Sequence, residues 1–198
     1  IAAGDEFSLA LRSDGSVWSW GSNSHNELGR STSSPSKRVG GLDNVLDIAA
    51  GARFGVARKA DGTVWVWGDN EFGQVGGLPG LGTAAAKQVP GLSNVLAISA
   101  GSAHALSMSS DEACNAGNGQ TGGRLMAWGN NLYGSRGDGT AVNWLRPTPV
   151  VALGDDTTCS GLIGHRVIIY KAGIGDGTVE SNLPGMVCSG LICWQTVP

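Results

Sequence analysis

Val64-Trp65-Val66-Trp67-Gly68-Asp69-Asn70, running on through Phe72-Gly73-Gln74-Val75-Gly76, decides the fold because the chain writes it three times. The upstream copy is Val17-Trp18-Ser19-Trp20-Gly21-Ser22-Asn23, followed by Leu28-Gly29. The downstream copy is Leu125-Met126-Ala127-Trp128-Gly129-Asn130-Asn131, followed by Tyr133-Gly134 and Gly137. Trp20 to Trp67 is about 47 residues and Trp67 to Trp128 about 61, and a period near 50 means a propeller, a solenoid or an array. The 33 glycines recur at corresponding places in each copy, so they mark turns and not low complexity.

Around each copy the flanking segments match as well. Ile1-Ala2-Ala3-Gly4, Ile48-Ala49-Ala50-Gly51 and Ile98-Ser99-Ala100-Gly101 open the three repeats, which run over about 1–47, 48–97 and 98–153. Asp14-Gly15 and Asp61-Gly62 lie between short alternating runs, a hairpin signal that predicts a type I′ turn with two positive φ angles. Trp18 and Trp20 are two apart and share one face of a strand, which is expected to pack against the next sheet. The shared setting before Gly predicts that Trp20, Trp67 and Trp128 are all buried at equivalent positions. Each copy supplies about four short strands, the content of one propeller blade, and no helical periodicity competes. In the third copy His104 stands where the others have Phe7 and Phe54, and the hairpin turn is swollen into 111–123 with Cys114 in it.

These residues resemble the repeats of the regulator of chromosome condensation (RCC1-like) in their bacterial form, over residues 1–153. The resemblance implies an all-β fold of seven-bladed β-propeller type, of which about three blades are present, followed by a small β tail. Three blades are fewer than the four to eight with which propellers close. Asn26 replaces a loop glycine, a place Asn can take because it enters the left-handed region. Arg136 stands at the Leu28/Val75 position, so the third blade is expected to pack differently there.

The segment 154–198 reads two ways. Gly175 to Ser181, Leu183-Pro184-Gly185-Met186-Val187-Cys188 and Cys193 are similar to a small β-module of bacterial secreted proteins. A degenerate fourth blade, matching Asp176-Gly177-Thr178-Val179 to Asp61-Gly62-Thr63-Val64, leaves the two cysteines unexplained. Cys188 and Cys193 bracket a four-residue loop with Gly190, which brings the sulfurs within disulfide reach and predicts a bridge. Cys114 and Cys159 are the candidates for a second bridge, although four cysteines allow three pairings. Structural disulfides persist in oxidising compartments, so the expected location is secreted or cell-surface. The chain has no initiator Met and no signal peptide, and Ile1 matches the middle of a repeat; a mature product or a piece of a longer chain is expected.

Chemistry is sparse. The formal net charge of −3 gives no basic stripe for nucleic acid, and no apolar run is long enough to span a membrane. Gly117 to Gly122 satisfies the dinucleotide fingerprint as a string, but a strand follows it where a helix N-terminus is required. Gly80-Leu81-Gly82-Thr83-Ala84-Ala85 could open a short helical turn but lacks a preceding strand and an acidic partner. His25, His104 and His165 lie in different copies without ligand-spaced companions, so no metal, cofactor or catalytic constellation is expected. The candidate binding loops follow each Trp-Gly: His25, Asn26 and Glu27; Glu71, Phe72 and Gln74; Leu132 and Tyr133, with Trp144 in a third-copy loop. Aromatic side chains on rigid loops make good hot spots. The expectation is a non-enzymatic binding scaffold for a protein or glycan. The alternative is a homo-oligomer or filament in which open blade edges pair with neighbouring copies. An exchange factor for a small GTPase, which eukaryotic relatives imply, is disfavoured by the acidic balance, the cysteines and the missing blades.

Overall fold

The computed structural model describes residues 1–32, 36–77, 79–110, 123–137 and 139–150, and two strands at 186–189 and 192–195. The chain divides into two compact units, Ile1–Ile163 and Gly164–Pro198. The first unit holds three four-stranded antiparallel sheets, each ordered as its strands follow in sequence. The first sheet comprises β1 (Ala2–Ala3), β2 (Phe7–Leu11), β3 (Val17–Gly21) and β4 (Lys37–Arg38). The second comprises β5 (Val45–Ala50), β6 (Phe54–Lys59), β7 (Val64–Asn70) and β8 (Gly80–Gln88). The third comprises β9 (Val95–Ala100), β10 (His104–Ser110), β11 (Gly123–Gly129) and β12 (Trp144–Pro149). Gly80 to Ala85 thus lies in a strand, with no helical turn after its glycines.

The register repeats with the sequence. Phe7 pairs with Gly21, Phe54 with Gly68 and His104 with Gly129, so each tryptophan holds the same place in its sheet. The hairpin turn differs from the predicted type I′. Gly15 and Gly62 have φ of 76°, whereas Asp14 and Asp61 are absent from the positive-φ residues. Gly15 N–H donates to Arg12 O at 3.0 Å and Arg12 N–H to Ser16 O at 3.0 Å, which makes a three-residue loop: a type I turn closed by a left-handed glycine. The aspartate is the cause. Asp14 Oδ1 accepts from Ser16 N–H at 2.9 Å and from Ser16 Oγ at 2.5 Å, and Asp61 does the same with Thr63 at 3.0 and 2.6 Å. Those hydrogen bonds lower the pKa of both aspartates, the side-chain bond first and the backbone bond second. β5 and β9 start ahead of the repeat boundaries at 48 and 98, and the ladder shifts at Leu46 and Leu96, leaving both leucines exposed.

Two cores hold the sheets together, and each lies between blades. Leu9, Val17, Leu28 and Val39 of the first blade pack with Ile48, Ala57 and Trp67 of the second. Phe54, Val56, Val64 and Val66 of the second pack with Ile98, Ala105 and Trp128 of the third. The alternation of β7 makes this possible, since Val64 and Val66 face forward while Trp65 and Trp67 face back. Gly55 is required opposite Trp67, because a Cβ there would come within 2.3 Å of the indole ring at Cζ2. The bends between the first two strands of successive sheets are also linked, with Asp5 N–H donating to Ala52 O at 3.0 Å and Ala52 N–H to Ser102 O at 2.9 Å.

This arrangement corrects the expectation for the tryptophans. Their face packs against the preceding sheet, not the next one. Trp67 and Trp128 are fully buried, but Trp20 is 39% exposed because no described sheet lies behind β3.

In the second unit β13 (Met186–Ser189) and β14 (Ile192–Gln195) form an antiparallel pair in which Cys188 stands directly opposite Cys193. Cys114, Cys159 and the insertion around the Gly117–Gly122 string lie outside the described residues.

Candidate interaction surface at the loop rim

At one rim the chain leaves β3, β7 and β11 through a loop of the same construction. Gly21, Gly68 and Gly129 have φ of 108°, 105° and 98°, which brings the next N–H onto the neighbouring loop. Ser22 N–H reaches Glu6 O at 2.8 Å, Asp69 N–H reaches Arg53 O at 2.9 Å, and Asn130 N–H reaches Ala103 O at 2.9 Å. An asparagine then pins the loop from inside. Asn23 Oδ1 accepts from Leu28 N–H at 2.9 Å, Asn70 Oδ1 from Val75 N–H at 3.1 Å, and Asn131 Oδ1 from Arg136 N–H at 2.9 Å. Its amide donates onward, to Arg30 O, Gly76 O and Thr140 O respectively. Two successive turns follow, and their shared residue takes the left-handed conformation: Asn26 at 66°, Gly73 at 82° and Gly134 at 70°. The recurring Asn after Trp-Gly was visible in the sequence, but its pinning role was not.

The candidate residues separate by exposure. Glu27 and Gln74 are buried and spend their side chains on their own loops. Glu27 Oε2 accepts from His25 N–H at 2.8 Å and Gln74 Oε1 from Phe72 N–H at 2.8 Å. Their main-chain carbonyls seat the next blade: Trp67 Nε1 donates to Glu27 O at 2.8 Å and Trp128 Nε1 to Gln74 O at 3.0 Å. His25, Asn26 and Phe72 are half-buried, Glu71 is exposed, and Leu132 and Tyr133 are exposed, Tyr133 at 97%. Trp144 pairs opposite Gly129 through its backbone, and its side chain lies outside the described residues.

The His25 side chain has partners at both ring nitrogens. Its Nδ1 lies 2.9 Å from Ser24 Oγ and 3.3 Å from Glu27 Oε1, and its Nε2 lies 3.4 Å from Arg53 Nη1. Arginine can only donate, so a hydrogen bond across this contact requires Nε2 as the acceptor. His25 thus bridges the first blade's loop to the second blade's Arg53. Arg136 turns its guanidinium inward, with Nη1 donating to Val142 O at 3.1 Å, so the third loop is held by a buried cation where the others bury Leu28 or Val75. His104 sits over Gly101 as the phenylalanines sit over Gly4 and Gly51, and its burial lowers its pKa. Among the described residues no cluster of His, Cys, Asp and Glu could hold a metal ion. No helix among them is long and apolar enough to cross a membrane.

The regulator of chromosome condensation (RCC1) repeat matches the sequence over residues 1–27 and 45–74, and a second model of the same repeat matches 61–108. A search of curated proteins returns no match. Among solved structures, yeast RCC1 (Prp20) bound to Kap60 is similar at 25% identity and a TM-score of 0.59, over 75% of this chain and 36% of that one. Prp20p of Saccharomyces cerevisiae, described with its binding to Gsp1p and histones, is similar at 25% identity and 0.60, over 75% and 37%. Human WBSCR16, at 23% identity and 0.60 over 75% and 38%, shares the fold. The chain therefore spans a little over a third of the length of these structures.

Proposed function

We propose that the chain, which matches the RCC1 repeat over residues 1–27 and 45–108, is a non-catalytic protein-binding scaffold that uses the loops at the Trp-Gly rim. The observation that carries this reading is the loop design itself. One asparagine fixes each loop, so its tip costs little ordering entropy on binding, and successive tips present His25 with Arg53, Glu71 with Phe72, and Leu132 with Tyr133. A protein partner is favoured by the similar solved structures, one of which is bound to Kap60 and another described with its binding to Gsp1p and histones. A glycan is the other ligand class that exposed aromatic tips suit. A secreted or cell-surface location rests on the cysteines, of which Cys188 and Cys193 hold paired positions in β13 and β14.

The test is to probe the immobilised chain against arrays of extracellular proteins and of glycans, alongside Phe72→Ser/Tyr133→Ser and a control, Lys59→Ser, at the opposite end of the sheets. Binding should be lost in the double variant and kept in the control. Equal binding by all three would remove the rim from the function. A second reading, self-assembly, is favoured by one specific observation, the uncovered Trp20 face of the first blade.

A further inference from the structure

The two internal blade junctions share one backbone pattern, against which a few side chains stand out. At the first junction His25 and Glu27 lie on the loop after Trp20-Gly21, and Arg53 lies on the bend between β5 and β6. At the second junction Phe72, Gln74 and Ala103 hold the corresponding places. The hydrogen bonds establish the correspondence. Glu27 Oε2 closes its loop on His25 N–H and Gln74 Oε1 on Phe72 N–H, both at 2.8 Å. Arg53 O accepts from Asp69 N–H and Ala103 O from Asn130 N–H, both at 2.9 Å. A neutral amide, a phenyl ring and a methyl group therefore meet every demand the fold makes at these places. The ionisable groups of His25, Glu27 and Arg53 answer to something else.

Their geometry is that of a poised cationic pair with a fixed counter-charge behind it. Glu27 is buried, and its carboxylate holds both the main chain of His25 and, through Oε1 at 3.3 Å, the ring at Nδ1. On the far side of the ring Nε2 faces Arg53 Nη1 at 3.4 Å. Arg53 is exposed, and among the described residues no carboxylate is paired with it. The carboxylate of Asp69, whose main chain is bonded to Arg53, is turned to its own loop, where Oδ1 accepts from Glu71 N–H at 3.1 Å. The ionisable groups in contact with the His25 ring are thus Glu27 from its own loop and Arg53 from the second blade. Arg53 belongs to the blade that has a described blade on each side. Phe72, the counterpart of His25, is likewise half-buried with a blade already packed behind it, so a further blade behind the first leaves His25 accessible too.

We propose that the His25–Arg53 pair is a carboxylate-binding site, and that its ligand is an Asp or Glu side chain of the protein that docks on the Trp-Gly rim. The inference rests on the rim-binding reading and deepens it, because it gives the chemistry of one contact. Arg53 supplies the planar fork of donors that matches a carboxylate. While Nε2 is unprotonated it can accept from Arg53. Once the ring takes up a proton, Nε2–H becomes a donor aimed at the same point, and two cationic donors 3.4 Å apart call for an anion between them. With the ring protonated, Glu27, His25 and Arg53 together carry one net positive charge, which a single carboxylate neutralises. A repeating polyanion such as a uronic acid glycan would also meet Asp69 and Glu71 on the next loop of the same rim, which oppose it. An isolated acid in a protein segment meets only the cationic pair, and the tips carrying Phe72 and Tyr133 suit the apolar residues around it.

Selection of a displayed random-peptide library on the full chain at about pH 6 supplies the probe, in the range where histidines take up a proton. The comparison is His25→Phe/Arg53→Ala, which installs at the first junction the residues the second already carries, so its urea midpoint should be unchanged. Arg53→Gln, a single change at an exposed position, gives the same readout without touching the loop. The recovered peptides should carry an Asp or Glu whose change to the amide weakens binding about tenfold or more, as loss of a charge-assisted pair does. The double variant should lose as much, and in it the amide change should cost nothing further, because both remove the same contact. Binding to the wild type should tighten as pH falls from about 8 to about 5.5, and binding to the double variant should not. Peptides that bind the double variant equally well but are lost in Phe72→Ser/Tyr133→Ser would overturn the carboxylate site and leave rim binding standing. An oligogalacturonate bound through Arg53, with no acidic peptide recovered, would overturn the protein side chain as its ligand. Binding unchanged in every variant, or no binding of either probe, would overturn the site and the rim reading together.

Discussion

Trp20 and Trp67 occupy one repeat position in two environments, so replacing each by phenylalanine isolates what the neighbouring blade contributes. In Trp67→Phe the hydrogen bond to Glu27 O is lost and that carbonyl is left buried without its donor, a cost of about 1–3 kcal/mol. The smaller ring also leaves a void beside Leu28 and Val39, worth about 1 kcal/mol. The sum, about 2–4 kcal/mol, stays near or below the roughly 3–5 kcal/mol typical of removing a buried Trp side chain entirely. For a chain of this size that corresponds to a fall in melting temperature of roughly 4–16 °C. Trp20→Phe breaks no buried hydrogen bond and opens no enclosed void, so its cost should stay within about 0.5 kcal/mol, the range for surface changes. Urea unfolding followed by far-ultraviolet circular dichroism, at a concentration where the protein is monomeric, reads both midpoints. Equal losses for the two variants would refute the assignment of the tryptophan face to the preceding blade. So would a Trp67→Phe loss below about 0.5 kcal/mol, the surface level.

Asp14 and Asp61 have folded pKa values below the ordinary 3.8, so the unfolded chain binds more protons as the solution becomes acidic. Their contribution to stability is complete above the unfolded pKa and is lost as pH falls through the lower folded values; Asp14→Asn/Asp61→Asn should flatten the urea midpoint between pH 5 and 2.5 relative to wild type, and parallel curves would contradict the turn chemistry. Cys188 and Cys193 should be joined, since directly opposed residues of an antiparallel pair stand within the Cα separation a disulfide needs; alkylation of the unfolded, unreduced protein followed by mass spectrometry should find both unmodified, and four alkylated cysteines would end both the bridge and the extracellular assignment.

The local chemistry of a blade was legible in the residues themselves. The period of Trp-Gly, the Asp-Gly turns and the alternation of Val64-Trp65-Val66-Trp67 fix strand positions, hairpins and faces, because these depend on neighbours one to four residues away. Even there the turn type escaped, since the carboxylate of Asp14 captures Ser16 and keeps its own φ negative, leaving one left-handed residue where two were expected. The resemblance to a known repeat supplied the propeller, which spacing alone left among several repeat architectures. Tertiary structure decided everything that needs a second sheet. Trp20 and Trp67 have the same local setting, and only the blade behind Trp67 makes one buried and the other exposed. Glu27, Gln74 and Tyr133 lie on corresponding loops, yet the first two close their own turns under the next blade while Tyr133 stands free. The physical reason is that a strand's pattern states which side chains share a face, whereas burial is set by what packs on that face from another part of the chain.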